Sequence, residues 1–154
     1  MLQLRLAQPE DCRLVWQWSN DPVVRAASFS PELIPWEQHT VWFDRKVNAP
    51  TSVFYIVMDE AMEPMGQVRF ELEGDEATIS VSLGSRHRGK GYGSAAIQLA
   101  SAALFEEAEV HVVHAYIKQE NQASIRAFEK AGFEFYQDTT IAGAASTHLR
   151  LEKK

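Results

Sequence analysis

Apolar and polar residues alternate at Leu2-Gln3-Leu4-Arg5-Leu6, the period of a strand with one face buried. From Pro9 the period lengthens. Leu14, Val15 and Trp18 then fall on one side of a helix that carries proline in its first turn. Asn20-Asp21-Pro22 breaks that helix, a short helical turn is expected from Val23 to Ala26, and Ser30-Pro31-Glu32 breaks the chain again. A further helix is expected from Pro35, with Trp36, Thr40, Phe43 and Val47 in one stripe and Asn48-Ala49-Pro50 as its end.

The next stretch reads as strands. Ser52 to Met58 is rich in β-branched and aromatic residues. Gln67 to Leu72 alternates with Val68, Phe70 and Leu72 on one face, and Thr78 to Leu83 does so with Ile79, Val81 and Leu83. Turns at Asp59 to Pro64 and at Gly74-Asp75 make these strands an antiparallel meander. After Gly84 the pattern changes. A long helix is expected from Gly91 to Glu107, then a strand from Val110 to Ile117. A helix from Asn121 to Ala131 is stopped by Gly132, and strands follow at Phe133 to Tyr136 and Ser146 to Leu151. With no repeat and no linker, this reads as one α+β domain over residues 1–154.

Composition narrows the function. Fifteen Lys and Arg against 21 Asp and Glu give a net charge of −6, the wrong sign for sequence-independent nucleic-acid binding. No apolar run has the length of a membrane span, and the N-terminus lacks the apolar core of a signal peptide. Cys12 is the single cysteine, which excludes an internal disulfide and four-cysteine zinc sites. His111 and His114 lie three apart on a strand and point to opposite faces, so no metal is expected. The expectation is a cytoplasmic protein.

The chemistry concentrates in Arg86-His87-Arg88-Gly89-Lys90-Gly91-Tyr92-Gly93-Ser94, between a strand and a helix. A helix N-terminus offers unpaired N–H groups, glycines let the backbone approach a ligand, and the basic side chains add positive charge. Such a loop suits a phosphate or diphosphate. The nucleotide P-loop spacing is met by Gly84 and Gly89-Lys90, but Gly91 stands where a hydroxyl would hold magnesium. The dinucleotide fingerprint counted from Gly89 meets Ser94 in place of its last glycine. A third pattern, [Q/R]-x-x-G-x-[G/A], is satisfied by Arg88, Gly91 and Gly93.

Residues 88 to 93 resemble the acetyl-CoA diphosphate loop of the GNAT superfamily of N-acetyltransferases. The segment from Asn121 to Phe133 is similar to that family's N-x-x-[SA]-x-x-x-[YF]-x-x-x-G-F element. The resemblance implies the acyl-CoA N-acyltransferase fold, a mixed and mostly antiparallel sheet flanked by about four helices. It also implies an acyltransferase with acetyl-CoA as co-substrate, acting as a monomer or homodimer. By resemblance, the backbone of Val81, Ser82 and Leu83 meets the pantetheine arm. Gly89, Lys90, Gly91, Tyr92, Gly93 and Ser94, with Arg88, hold the diphosphate. Asn121 bonds the arm or caps its helix. Phe128 stands where many members place a tyrosine acid, and it has no proton to give.

Tyr116 or a water is then a substitute acid, or the thiolate leaves unassisted. His114, on the same strand face, is a base facing the cleft or a packing residue. Glu71 binds or deprotonates a cationic amine, or is a solvated strand residue. The run Trp16-x-Trp18-x-Asn20-Asp21-Pro22-x-Val24-Arg25, followed by Ser28-Phe29 and His39-x-x-Trp42-Phe43, resembles amino-sugar nucleotide N-acetyltransferases of the pseudaminic-acid pathway. Ribosomal-protein N-terminal acetyltransferases share a looser version. Trp16, Arg25, His39 and Trp42 are accordingly expected to bind the acceptor, a small-molecule amine, with a UDP-linked amino sugar placed first. The alternatives are acetylation of the N-terminal alanine of a ribosomal protein, a non-catalytic acetyl-CoA-binding domain and, last, a P-loop hydrolase.

Overall fold

The computed structural model describes residues 1–154. In chain order the elements are β1 (Gln3–Leu6), α1 (Cys12–Ser19), α2 (Pro22–Ala27), α3 (Trp36–Asn48), β2 (Ser52–Met58), β3 (Pro64–Glu73), β4 (Glu76–Leu83), α4 (Tyr92–Glu107), β5 (Val112–Lys118), α5 (Gln122–Lys130), β6 (Glu134–Ile141) and β7 (Ala144–Glu152). The strands form one seven-stranded sheet in the order β1-β2-β3-β4-β5-β7-β6. Every neighbouring pair is antiparallel except β4 and β5, which are joined through α4 and run parallel.

Five helices flank the sheet, the expected four or so together with the short helical turn expected after Asp21-Pro22. That turn, α2, opens with Pro22 at its first position, and the Asp21 carboxylate accepts from Val23 N at 2.9 Å. The last two strands outrun the expected Phe133–Tyr136 and Ser146–Leu151. Gln137 to Thr140 is polar and β6 is an exposed edge, so no apolar alternation marks it. Ala142 and Gly143, both with positive φ, close the β6–β7 hairpin.

Period-two alternation sends side chains to two different cores. Tyr55, Val57, Val68, Phe70, Ala77, Ile79, Val113, Ala115 and Leu149 face α4 and α5 and form the larger cluster. Phe54, Ile56 and Met58 face the other way, against Val15 and Trp18 of α1 and Phe43 of α3. Gly66 of β3 lies opposite Leu83, and a Cβ built there would stand 2.6 Å from the Ser82 carbonyl oxygen. That neighbour is backbone, so the strand itself must shift. We therefore expect Gly66→Ala to destabilise the fold by about 1–3 kcal/mol. A thermal melt that leaves the midpoint unchanged would contradict this tight β3–β4 approach.

Candidate active site

Pairing between β4 and β5 covers only Glu76–Thr78 and Val112–His114. Beyond it β4 stays with β3 as far as Leu83, and β5 stays with β7 as far as Lys118. The two strands therefore part into a wedge. Gly84 N donates to Met65 O at 2.8 Å, so alternation directs the main chain of Ile79, Val81 and Leu83 away from β3 and into the wedge. Gln119 N donates to Ala145 O at 3.0 Å, which directs the main chain of Tyr116 and Lys118 into it from the other side. Unpaired amides and carbonyls along such an edge suit an extended, amide-bearing ligand.

The glycine loop stands at the end of β4. Gly89 and Gly91 adopt φ of +75° and +81°, and Gly91 caps α4 in the left-handed conformation. That turn brings the free N–H groups of the first turn of a 16-residue helix to the mouth of the wedge. A Cβ at Gly89 or Gly91 would meet no atom within 4 Å, so the glycines serve the backbone conformation and leave space open beside it. Arg88 does not extend freely from this loop. Its guanidinium donates to Leu83 O at 3.3 Å and to the Asp21 carboxylate at 3.1 Å, tying the loop to the start of α2. The hydrogen bond from Arg88 holds the Asp21 carboxyl below its ordinary range. A cavity of about 460 Å³ lies beside this tether, with Trp18, Asp21, Leu83, Gly84, Arg86 and His87 in its wall.

On α5, Asn121 caps its own helix, its side-chain oxygen accepting from Ser124 N at 3.3 Å. Phe128 is buried, edge-on to Phe133 at 5.1 Å between ring centres, and belongs to the larger core. Val81 and Leu83 pack their side chains against that same core. The Ser82 hydroxyl accepts from the buried Gln67 amide at 3.0 Å.

The residues expected to bind the acceptor are held by packing and hydrogen bonds within the protein. His39 is 1% exposed. Its Nε2 bonds Cys12 O at 2.8 Å, and its ring stacks on Trp36 and Phe43, so it is part of the core and not of the cleft wall. Burial pushes its pKa down, which keeps it neutral there. Trp42 packs on Phe54 and carries the Arg69 guanidinium over its ring at 4.8 Å. Burial lowers Arg69 to about 10. Trp16 donates its indole N–H to Ile34 O at 2.8 Å and meets Trp36 edge-on. Arg25 donates to Ser19 O and Ser30 O at 2.7 Å, fastening the loop after α2. Periodicity assigned the aromatic residues to helix faces. Their hydrogen-bond partners and the loop carbonyls that hold Arg25 come from distant parts of the chain. Glu71 forms an ion pair with Lys46 of α3 at 2.7 Å, so its carboxylate already has a cation.

His114 and Tyr116 share the face of β5 opposite the larger core, and their rings stack at 6.4 Å. Neither residue is alone. His148 of β7 lies directly across from Tyr116, stacks on it at 4.4 Å, and places Nε2 2.8 Å from His114 Nδ1. Glu76 of β4 bonds the other nitrogen of His114. Burial raises the Tyr116 phenol, and the Glu76 charge adds to the effect, so Tyr116 stays protonated at neutral pH. Sequence reading missed both His148 and Glu76. No local signal marks them, because the contacts span 34 and 38 residues of chain and depend on strand register.

No group of three His, Cys, Asp or Glu is arranged to hold a metal ion, and no helix is long and apolar enough to cross a membrane.

Known proteins agree with this geometry. The curated relative Uncharacterized N-acetyltransferase p20 of Bacillus licheniformis is 26% identical over 140 residues, covering 86% of this chain and 79% of its own. Among solved structures, the aminoglycoside acetyltransferase AAC(6')-Ib in complex with ribostamycin and coenzyme A superposes with a TM-score of 0.87 at 21% identity, covering 99% of this chain and 93% of its own. Spermidine N-acetyltransferase from Vibrio cholerae in complex with coenzyme A and spermine also reaches 0.87, at 17% identity over 98% of this chain and 95% of its own. A family model described as Acetyltransferase (GNAT) domain matches residues 1–134. The wedge, the glycine loop and this match lead to one assignment: the chain belongs to the GNAT acetyltransferases, a GNAT-type acyltransferase that uses acetyl-CoA.

Proposed function

We propose that this chain moves the acetyl group of acetyl-CoA to a primary amine of a small amino sugar. The observation that carries the donor side is the wedge itself, with main-chain groups of Ile79, Val81 and Leu83 facing into it and left-handed Gly91 opening α4 at its mouth. Val81 and Leu83 hold the donor's amide-bearing arm, whereas the main chain of Ser82, expected to join them, faces β3 and its hydroxyl is bonded to Gln67. Gly89 to Ser94 offer main-chain N–H groups to its diphosphate, with Lys90 adding charge, and Asn121 meets the arm from α5. The lone pair of the neutral amine forms the new C–N bond. The N–H of Leu83 steadies the negative charge that develops on the carbonyl oxygen. The C–S electron pair leaves with sulfur, and the phenol of Tyr116 supplies its proton in the absence of a tyrosine at Phe128.

Two observations support an amino sugar. One of the solved relatives is bound to ribostamycin, and the face of β4 away from the larger core carries hydroxyls from Thr78, Ser80 and Ser82. Trp16, His39 and Trp42 are committed to packing. This favours a sugar without an attached nucleotide over the UDP-linked sugar that the sequence suggested. A polyamine acceptor is the second reading, favoured by the relative solved with spermine. A screen of coenzyme A release should decide. We expect turnover with kanamycin or a related amino sugar above that with spermidine, a UDP-4-amino sugar or an N-terminal alanine peptide. A preference for either of the last two overturns the acceptor assignment. No release with any amine, despite coenzyme A binding, overturns the activity.

Arg88 has two claims on it, the diphosphate and Asp21. Asp21→Asn keeps a capping oxygen for α2 and removes the competing charge. We expect this variant to bind coenzyme A more tightly, by roughly threefold to tenfold at low salt, an effect that fades as salt screens the charges. Titration calorimetry showing weaker binding would place Arg88 outside the diphosphate site.

A further inference from the structure

We infer that Asp59 and His87 are positioning residues for the donor: through them the β2–β3 hairpin holds the diphosphate loop in its binding form, from outside the cofactor site. The inference rests on the reading that Gly89 to Ser94 grip the diphosphate.

Packing alone does not fix the chain that leads into this loop. Ser85 to His87 make a single turn of 3-10 helix in which no residue is buried. That turn faces the same cavity of about 460 Å³ as Leu14, Gln17 and Trp18 of α1, so it lacks a packed floor. Three charged ties remain. Arg86 pairs with Glu63 at 3.0 Å, but the two side chains are 74% and 59% exposed, where an ion pair contributes little. Arg88 pairs with Asp21 at 3.1 Å, and this is the tie for which the diphosphate competes. His87 Nε2 bonds Asp59 Oδ2 at 3.1 Å, with side chains only 12% and 16% exposed. It is the best shielded of the three, and it stays in place once Arg88 turns to the diphosphate.

The two oxygens of Asp59 have separate tasks. Oδ1 accepts from Ala61 N at 2.9 Å and from Glu63 N at 3.0 Å, which shapes the hairpin turn. Within that turn Met62 is held at φ +60°, a conformation that a side chain disfavours and that persists only where the surroundings enforce it. Oδ2 is thereby presented to His87. The Glu63 amide, the His87 ring and the Ala61 amide hold the Asp59 carboxyl below its ordinary range, so it is an anion at neutral pH. On its other side the His87 ring meets Tyr92 edge-on at 5.9 Å, and Tyr92 is the first residue of α4. One imidazole therefore joins the hairpin to the helical turn whose N–H groups meet the diphosphate.

Apparent affinity falls with the fraction of protein in the binding-competent form. Losing the Asp59–His87 pair should thus weaken donor binding and leave the chemical step alone.

The test is coenzyme A calorimetry together with acetyl-CoA kinetics, using the amine that gives the fastest coenzyme A release in the screen. His87→Leu keeps bulk against Tyr92 and removes the bond to Asp59. The Kd for coenzyme A and the KM for acetyl-CoA should rise together by about 5- to 20-fold, with kcat within about twofold of wild type. His87→Gln retains an N–H that can reach the carboxylate and should recover most of the affinity. Adding Asp59→Ala to His87→Leu should cost little further affinity, because the two side chains act as one unit. A thermal melt checks that each variant is folded. If His87→Leu is not, Asp59→Ala against His87→Gln makes the same comparison. Wild-type affinity in a folded His87→Leu variant, a glutamine variant as weak as the leucine one, or losses that add in full in the double variant would each overturn the inference. Weaker binding in a Gly91→Val variant alongside any of these results would leave the diphosphate loop itself in place.

Discussion

Replacing Gly91 by valine is expected to raise the dissociation constant for coenzyme A by about 10- to 100-fold while moving the melting temperature little. The wild-type residue sits at φ +81°. A β-branched residue held there carries roughly 1–3 kcal/mol of strain, so the loop leaves the left-handed region and turns the first amides of α4 away from the wedge. The global fold is spared for a separate reason. A Cβ at this position would meet no atom within 4 Å, so nothing in the core is displaced. Calorimetry for binding and a thermal melt for stability separate the two effects. Wild-type affinity in this variant would mean that the diphosphate is held elsewhere, and the donor site would have to be redrawn.

Phe70→Ala should have the largest effect on stability. The side chain is fully buried, lies opposite Ile79, and meets Tyr55 edge-on at 6.4 Å. Removing a buried phenyl ring costs about 3–5 kcal/mol, from lost transfer free energy and the cavity left behind. For a domain of this size that corresponds to a fall of roughly 6–20 °C in melting temperature. Ile79 is the first β4 residue beyond the β4–β5 pairing, so the cavity opens beneath the apex of the wedge. The variant is expected to bind coenzyme A more weakly as well. A midpoint within about two degrees of wild type, on the same scale, would show that the larger core depends less on this ring than the packing implies.

The two predictions differ in how far the sequence alone supports them. Gly91 stands out by its spacing from Arg88 and Gly93 and by its position ahead of a helical pattern, which together mark a phosphate loop. The burial of Phe70 follows from strict alternation in β3. The acceptor residues were less legible. His39 and Trp42 flank the apolar stripe of α3, a pattern compatible with a cleft wall or with a core. Only packing against Trp36, Phe43 and Phe54 decides between them. Arg25 could be located but not interpreted, since the carbonyls that hold it belong to the following loop and to α1.

Local periodicity, turn residues and glycine spacing determined the elements, the antiparallel meander and the donor loop, because each is a property of a short stretch of backbone. Strand register, the parting of β4 from β5, the Arg88–Asp21 tether and the meeting of Glu76, His114 and His148 were decided only by the tertiary structure. Those contacts join residues 34 to 67 apart, where no local pattern constrains which side chains meet.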